Sequence, residues 1–247
     1  DRSQPLPTSD LPAADWCRWI DEAAAAGCLA LLLTGGEPLM HEGFPAIYRH
    51  AKEAGLLVTV FTNGTCITDP ILDLFQELPP QAVEVSLYGA TAATAARVTG
   101  SPTACDRALA GVDALRARGI RVKLKTLLTR DLAPELPAMA ELAKARDIPF
   151  RFDGALFPRL DRDGSPLDQR VDPETIAAAD FASPETRAEW QRLYTTYRTL
   201  PAQSKLYLCG AGVTAFHITA QGVLLPCLMT PTIAKDLIHT PFLAAWH

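Results

Sequence analysis

No two cysteines of this 247-residue chain form a C-x-x-C, although there are six, at Cys17, Cys28, Cys66, Cys105, Cys209 and Cys227. That scatter excludes a disulfide scaffold, and the first four read as small buried hydrophobes. No apolar run approaches the roughly 20 residues that a bilayer-spanning helix needs. The opening DRSQPLPTSD lacks the cationic-then-apolar order of a signal peptide. Basic residues are not in excess: 23 Lys and Arg face 28 Asp and Glu, a net charge of −5. An acidic balance offers no electrostatic footprint for nucleic acid or an anionic membrane. G-x-S-x-G, a Walker loop and H-E-x-x-H are all missing, which removes the common hydrolase, kinase and zinc-protease readings. What remains, 48% hydrophobic and 21% charged, fits a cytoplasmic globular protein with a sizeable core.

What is present is alternation. A helix over Asp15–Ala26, with Thr8 or Asp10 as a possible cap, stops at Gly27 and precedes the apolar run Leu29–Leu33, a strand covered on both faces. The unit recurs as helix Phe44–Ala54 and strand Leu56–Phe61, helix Pro70–Glu77 and strand Ala82–Leu87, helix Ala104–Arg118 and strand Arg121–Leu128, and helix Ala133–Arg146 and strand Pro149–Asp153. Five repeats with short loops predict right-handed crossovers, a parallel sheet and an open or closed α/β barrel, with active residues at the carboxyl ends of the strands. Residues 154–172, rich in Pro, Gly and Asp, read as a loop, followed by helices over Pro173–Ala179 and Pro184–Leu200. From Lys205 onward a small β-hairpin flanked by Cys209 and Cys227 is expected. The division is residues 1–153, 154–204 and 205–247.

Thr34-Gly35-Gly36-Glu37-Pro38 directly follows the first strand. Adjacent glycines let a backbone lie against a ligand, and Glu37 offers a carboxylate for an ammonium group; the plain alternative is a tight turn. TGGEPL at this place resembles the radical S-adenosylmethionine (SAM) superfamily, in which it holds the amino group of the methionine moiety. Thr62-Asn63-Gly64 looks like the family's TNG turn. Ser86-Leu87-Tyr88-Gly89 resembles its SLDG segment, with Tyr88 for aspartate, and Arg97-Val98-Thr99-Gly100 resembles the R-x-x-G stretch that follows. The likeness runs from about Leu29 to Asp153. It implies a partial (βα)6-type radical SAM barrel, with Gly35, Gly36 and Glu37 at the methionine end of SAM and Thr62, Asn63 and Ser86 at the rest.

The family's C-x-x-x-C-x-x-C, which binds its catalytic [4Fe–4S] cluster, does not occur in this sequence. Its expected place is just before Asp1, upstream of the first helix. At the other end, Cys209 and Cys227 enclose C-x12-G-x4-C with Gly222, similar to the opening half of the SPASM region, whose cysteines hold one or two auxiliary [4Fe–4S] clusters; the plain alternative is two unrelated cysteines beside a hairpin. Phe242 to Trp246 is similar to the F-x-x-x-W found between the two cysteine groups of that region.

Weaker candidates remain. Lys123 and Lys125 share one face of their strand, either inward as substrate contacts or outward at a helix–strand seam. Arg151 and Asp153 either reach the cavity or pair with each other. Asp161, Asp163 and Asp168 lack the twelfth-position acid of a calcium loop and read as solvated, and His217 reads as structural. The resemblance implies reductive cleavage of SAM to a 5′-deoxyadenosyl radical, with an external electron donor such as flavodoxin or ferredoxin. It also implies modification of a ribosomally synthesised peptide by crosslinking, epimerisation or oxidation. The alternatives are a dehydrogenase or epimerase of a small metabolite, and a non-catalytic binding scaffold without a cluster.

Overall fold

In a parallel sheet buried by crossover helices, strand residues alternate between a helix-covered face and its opposite. The computed structural model, described here for residues 10–159, 163–198 and 209–246, builds such a sheet from five strands: β1 (Ala30–Leu33), β2 (Leu57–Thr62), β3 (Ala82–Ser86), β4 (Val122–Leu127) and β5 (Phe150–Asp153). All four pairings are parallel, in the order β1-β2-β3-β4-β5. Every strand therefore ends on one edge. Helices α1 (Ala13–Ala25), α2 (Phe44–Glu53), α3 (Asp69–Glu77), α4 (Ala92–Thr99), α5 (Ala104–Ala117) and α6 (Leu136–Lys144) lie between or before them.

Val58, Val60, Val83, Val85, Val122 and Leu124 point into the helix-packed core, where Tyr48, Phe75 and Leu115 are also fully enclosed. The other face carries Thr59, Phe61, Glu84, Ser86, Lys123, Lys125 and Arg151. Among the described residues no helix of the main core covers it, and Leu32 and Leu57 stand exposed there. The two strand lysines thus project from the open face, away from the helix seam.

The boundaries shift by a residue or two from those the sequence predicts. The first helix starts at Ala13 behind Pro12, with no side-chain cap; Asp10 does not supply one, and Thr8 lies outside the described residues. Helix α4 is an element the periodicity does not announce. Its eight residues, AATAARVT, are short and small, and it forms because Thr91 accepts the Thr94 amide and Gly100, at φ 80°, closes the far end. The long helix expected from Ala133 opens as a 3-10 turn (Ala133–Glu135).

Beyond β5, the loop contains a 3-10 turn over Ser165–Gln169, and α7 (Pro173–Asp180) and α8 (Pro184–Arg198) follow. Asp163 accepts the backbone and hydroxyl of Ser165, as a solvated turn does; Asp161 and the last two residues of the predicted second helix lie outside the described residues. The C-terminal hairpin gains a third strand: β6 (His217–Ile218), β7 (Val223–Leu225) and β8 (Lys235–Asp236) form an antiparallel sheet, followed by α9 (Phe242–Trp246).

Helix α1 joins the two parts. Ile20 enters the main core, whereas Trp19 and Ala23 enter a second core with Leu224, Leu237, Phe242 and Ala245. The Trp19 indole N–H donates to the Leu237 carbonyl at 3.1 Å, and Arg18 donates to the same oxygen at 3.1 Å. Glu22 accepts the amide of Phe242, the first residue of α9. Among the described residues no helix is long and apolar enough to cross a membrane.

Candidate active site at the carboxyl edge of the sheet

The turn after β1 lies on the edge where all five strands end. Gly35 has φ 143°, a conformation that side-chain-bearing residues rarely adopt. A Cβ built on Gly35 or Gly36 meets no atom within 4 Å, so both glycines face open space. Glu37 turns inward. One carboxylate oxygen accepts the Thr62 hydroxyl at 2.7 Å and the Leu39 amide at 3.2 Å, and the other accepts the Asn63 amide at 2.7 Å. This carboxylate fastens the end of β1 to the end of β2.

Thr62 is buried, and its hydroxyl also accepts the Gly64 amide at 3.0 Å. Donor and acceptor both engaged, it shapes the turn. Asn63 closes that turn through the Thr65 amide and hydroxyl. Gly64 sits at φ 76°, and a Cβ there would lie 2.7 Å from Val85. Helix α5 approaches so closely that a Cβ on Gly111 would stand 2.2 Å from the Gly64 carbonyl oxygen.

Ser86 ends β3, partly exposed on the open face, and among the described residues its hydroxyl makes no hydrogen bond. The loop beyond it is clamped from the 3-10 turn that precedes α6. Glu135 accepts the amides of Ala90 and Thr91 at 2.6 and 3.2 Å, the Thr91 hydroxyl at 2.7 Å and the Thr94 hydroxyl. Desolvation opposes the charge of Glu135, but those hydrogen bonds outweigh it and hold its pKa below the usual carboxylate value. Arg97 bridges to Asp131 at 3.0 Å, fixing the R-x-x-G stretch to the same support.

The open face below this edge is charged. Register places Glu84 beside Lys123, Ser86 beside Lys125, and Lys125 beside Arg151. Glu84 is 7% exposed; one of its oxygens accepts two N–H groups of Arg151 at 2.6 and 3.1 Å, and Lys123 lies 3.7 Å from the other. Arg151 therefore pairs across the sheet, while Asp153 accepts the Ala155 amide. Lys125 lies over the Phe61 ring, its ammonium 2.8 Å from the centroid. Burial pulls its pKa down to about 8; Glu84 opposes that shift and Arg151 adds to it.

In the C-terminal sheet, a turn from Cys209 to Ala215 brings Gly212 within 3.3 Å of Pro226, the neighbour of Cys227, measured from a Cβ built on that glycine. The Cys227 sulfur accepts the Met229 amide at 3.4 Å, the kind of N–H···S contact that supports a thiolate ligand. His217 is half-buried, and its environment lowers its pKa by desolvation. Cys105 is buried and Cys28 packs against the core, as small hydrophobes would.

Two cofactor questions receive different answers. A turn with two open-faced glycines, on the same sheet edge as Ser86 two strands away, fits a ligand of SAM's polarity. For a [4Fe–4S] cluster, no three His, Cys, Asp or Glu side chains converge as a metal site among the described residues. Sequence reading missed Glu84, Glu135 and Gly111. Glu84 shows in the sequence as an acid alternating with valines in AVEVS, a signal that was available; the partners of Glu135 and Gly111 lie 41 to 47 residues away and leave no local mark.

Comparison with known proteins places these features in a family. Residues 3–143, more than half of the chain, match the radical SAM superfamily. The chain is 26% identical over 260 residues to the AdoMet-dependent heme synthase of Methanosarcina barkeri, covering 98% of this chain and 74% of that protein. It is 30% identical over 243 residues to the PqqA peptide cyclase of Ruegeria pomeroyi, covering 91% of this chain and 61% of the cyclase. It thus spans about three fifths of the cyclase's length. Streptococcus suis SuiB bound to S-adenosylmethionine superposes with a TM-score of 0.78 at 17% identity over 99% of this chain and 60% of SuiB, and SuiB bound to the precursor peptide SuiA superposes with 0.79. With the strand-end motifs assembled on one edge and the match covering the sheet that carries them, the chain belongs to the radical SAM superfamily, whose members bind SAM and a [4Fe–4S] cluster.

Proposed function

We propose that this chain is the SAM-binding core of an enzyme that modifies a ribosomally synthesised peptide. The observation that carries this reading is the Glu37 tie. One carboxylate holds the glycine turn after β1 and the Thr-Asn-Gly turn after β2 in a single rim, with Ser86 at the end of the next strand, β3. Gly35 and Gly36 present backbone to the methionine end of SAM, Glu37 receives its ammonium at a remaining lone pair, and Ser86 and Asn63 contact the rest. Thr62 contributes by holding Glu37. When bound and given one electron from an external donor by way of the family's [4Fe–4S] cluster, SAM would release methionine and supply a 5′-deoxyadenosyl radical, which takes a hydrogen atom from an unactivated carbon. The rim residues bind and orient.

Peptide modification is supported by the likeness to PqqA peptide cyclases and to SuiB, whose structure holds a precursor peptide. Cys209 and Cys227 are the proposed ligands of an auxiliary [4Fe–4S] cluster, and Lys123 and Arg151 the proposed substrate-side residues. Residues 1–153 form the SAM-binding part, 154–204 a connector and 205–247 the auxiliary region. The likeness to a heme synthase over almost the whole chain favours a second reading, oxidation of a small metabolite. The test is anaerobic reconstitution of the full-length protein, with iron and sulfide counted per chain, followed by SAM and dithionite. 5′-Deoxyadenosine above background is expected, and its absence refutes the enzyme reading. Cys209→Ala and Cys227→Ala should each lower the iron count. Co-expression with a candidate precursor peptide, read as a mass change, separates peptide from metabolite.

A further inference from the structure

The open face of the sheet holds more positive than negative charge, and the excess is concentrated at one residue. Glu84 is bonded to Arg151 and approached by Lys123. Lys125, next in register to both Ser86 and Arg151, has no ion-pair partner among the described residues. Its ammonium rests on the Phe61 ring, and Arg151 also lies over that ring at 5.7 Å. A partly buried cation without a counter-charge is costly to keep. Two cations on one aromatic face repel, and an anion placed between them relieves both terms. Arg151 has donor capacity left, because only two of its five N–H groups are used by Glu84.

We infer that Lys125 and Arg151 form a receptor for a carboxylate carried by the substrate, with Glu84 setting the orientation of the arginine fork and Phe61 the position of the ammonium. The receptor lies level with Ser86, so the anchored group sits on the sheet beside the proposed SAM rim and the substrate carbon nearby is held for reaction. A planar guanidinium beside a point cation suits a carboxylate in a defined plane. The inference rests on the proposed use of this face for substrate, and it commits that substrate to an acidic group: a Glu or Asp side chain in a peptide, or the carboxylate of a small acid.

The test measures binding without turnover, so it is independent of radical formation. Full-length reconstituted protein, kept without reductant, is titrated with N-acetyl-glutamate N-methylamide, its glutamine counterpart, and glutarate. Lys125 is followed by NMR of 13Cε-labelled lysine. The carboxylate probes should bind about tenfold more tightly than the amide and raise the Lys125 pKa. A peptide-type substrate predicts that the glutamate probe outbinds glutarate, and a small acid predicts the reverse. Lys125→Met and Arg151→Met should each erase the carboxylate preference, whereas Lys144→Met, at an exposed lysine on α6, should preserve it. Equal binding of glutamate and glutamine probes, or a preference that survives both substitutions, overturns the receptor. So does loss of probe binding on saturation with SAM, which would give the site to the cofactor's own carboxylate. Absence of 5′-deoxyadenosine would refute the proposed function while leaving this binding result intact.

Discussion

Replacing Glu84 by Gln should destabilise the protein and do so through Arg151. The carboxylate is almost enclosed, and among the described residues it is the only acidic group paired with the cations of the open face. Two unit charges about 4 Å apart attract by about 4 kcal/mol at an effective dielectric of 20. Most of that is offset by the desolvation of Glu84 and by water reaching Arg151 and Lys123, whose side chains are 48% and 40% exposed. Glutamine keeps the shape and one acceptor but leaves Lys123 and Arg151 without a counter-charge. The net loss should be about 1–2 kcal/mol, or roughly 2–8 °C in Tm at 2–4 °C per kcal/mol for a chain of this size. Thermal unfolding of wild type, Glu84→Gln, Arg151→Met and the double variant closes a cycle. The double variant should be more stable than the sum of the singles implies, by at least about 0.5 kcal/mol. Additivity within about 0.3 kcal/mol would mean the pair is not coupled, and the reasoning fails.

The other expectations are more local. Gly111→Ala places a methyl against the Gly64 carbonyl, a backbone atom that cannot swing aside; it should cost about 1–3 kcal/mol and weaken SAM binding measured by calorimetry, and an unchanged Tm would refute the close approach. Trp19→Ala should cost about 3–5 kcal/mol and expose the C-terminal sheet to limited proteolysis. Trp19→Phe should cost only about 1 kcal/mol, because Arg18 still donates to the Leu237 carbonyl; equal losses would show that packing around α1 is not what holds that sheet. Lys125 has a depressed pKa of about 8, so the folded state binds fewer protons than the unfolded state between that value and about 10.5. Its unfavourable contribution is full below pH 8 and fades as pH rises. Lys125→Met should therefore stabilise by about 1 kcal/mol at pH 7, after allowance for partial exposure, with the gain vanishing by about pH 10.5; a gain independent of pH would remove the titration from the account.

Much of the site was legible because its information is local. TGGEP, TNG and the Ser86 segment each sit within a few residues of a strand end, and one turn's chemistry is written in adjacent residues. The parallel sheet followed from five apolar runs separated by helical periods. Helix α4 and the third C-terminal strand escaped because each is short: eight residues of mixed polarity and a two-residue pairing carry too little periodic signal to separate from loop. Lys123 and Lys125 show the intermediate case. Alternation put them on one face, but period two is blind to which face is covered.

The sequence by itself determined the order of elements, the one edge on which the strands end, and the residue types at the rim, since these depend on near-neighbour chemistry and a repeat of 2 or 3.6. Only the tertiary structure decided that Glu37 spends its oxygens joining two turns, that Glu84 gathers Arg151 from 67 residues away, and that Lys125 is left over an aromatic ring. Side-chain pairing across a sheet depends on register and on which strand lies adjacent, and both are fixed by the packing of the whole core.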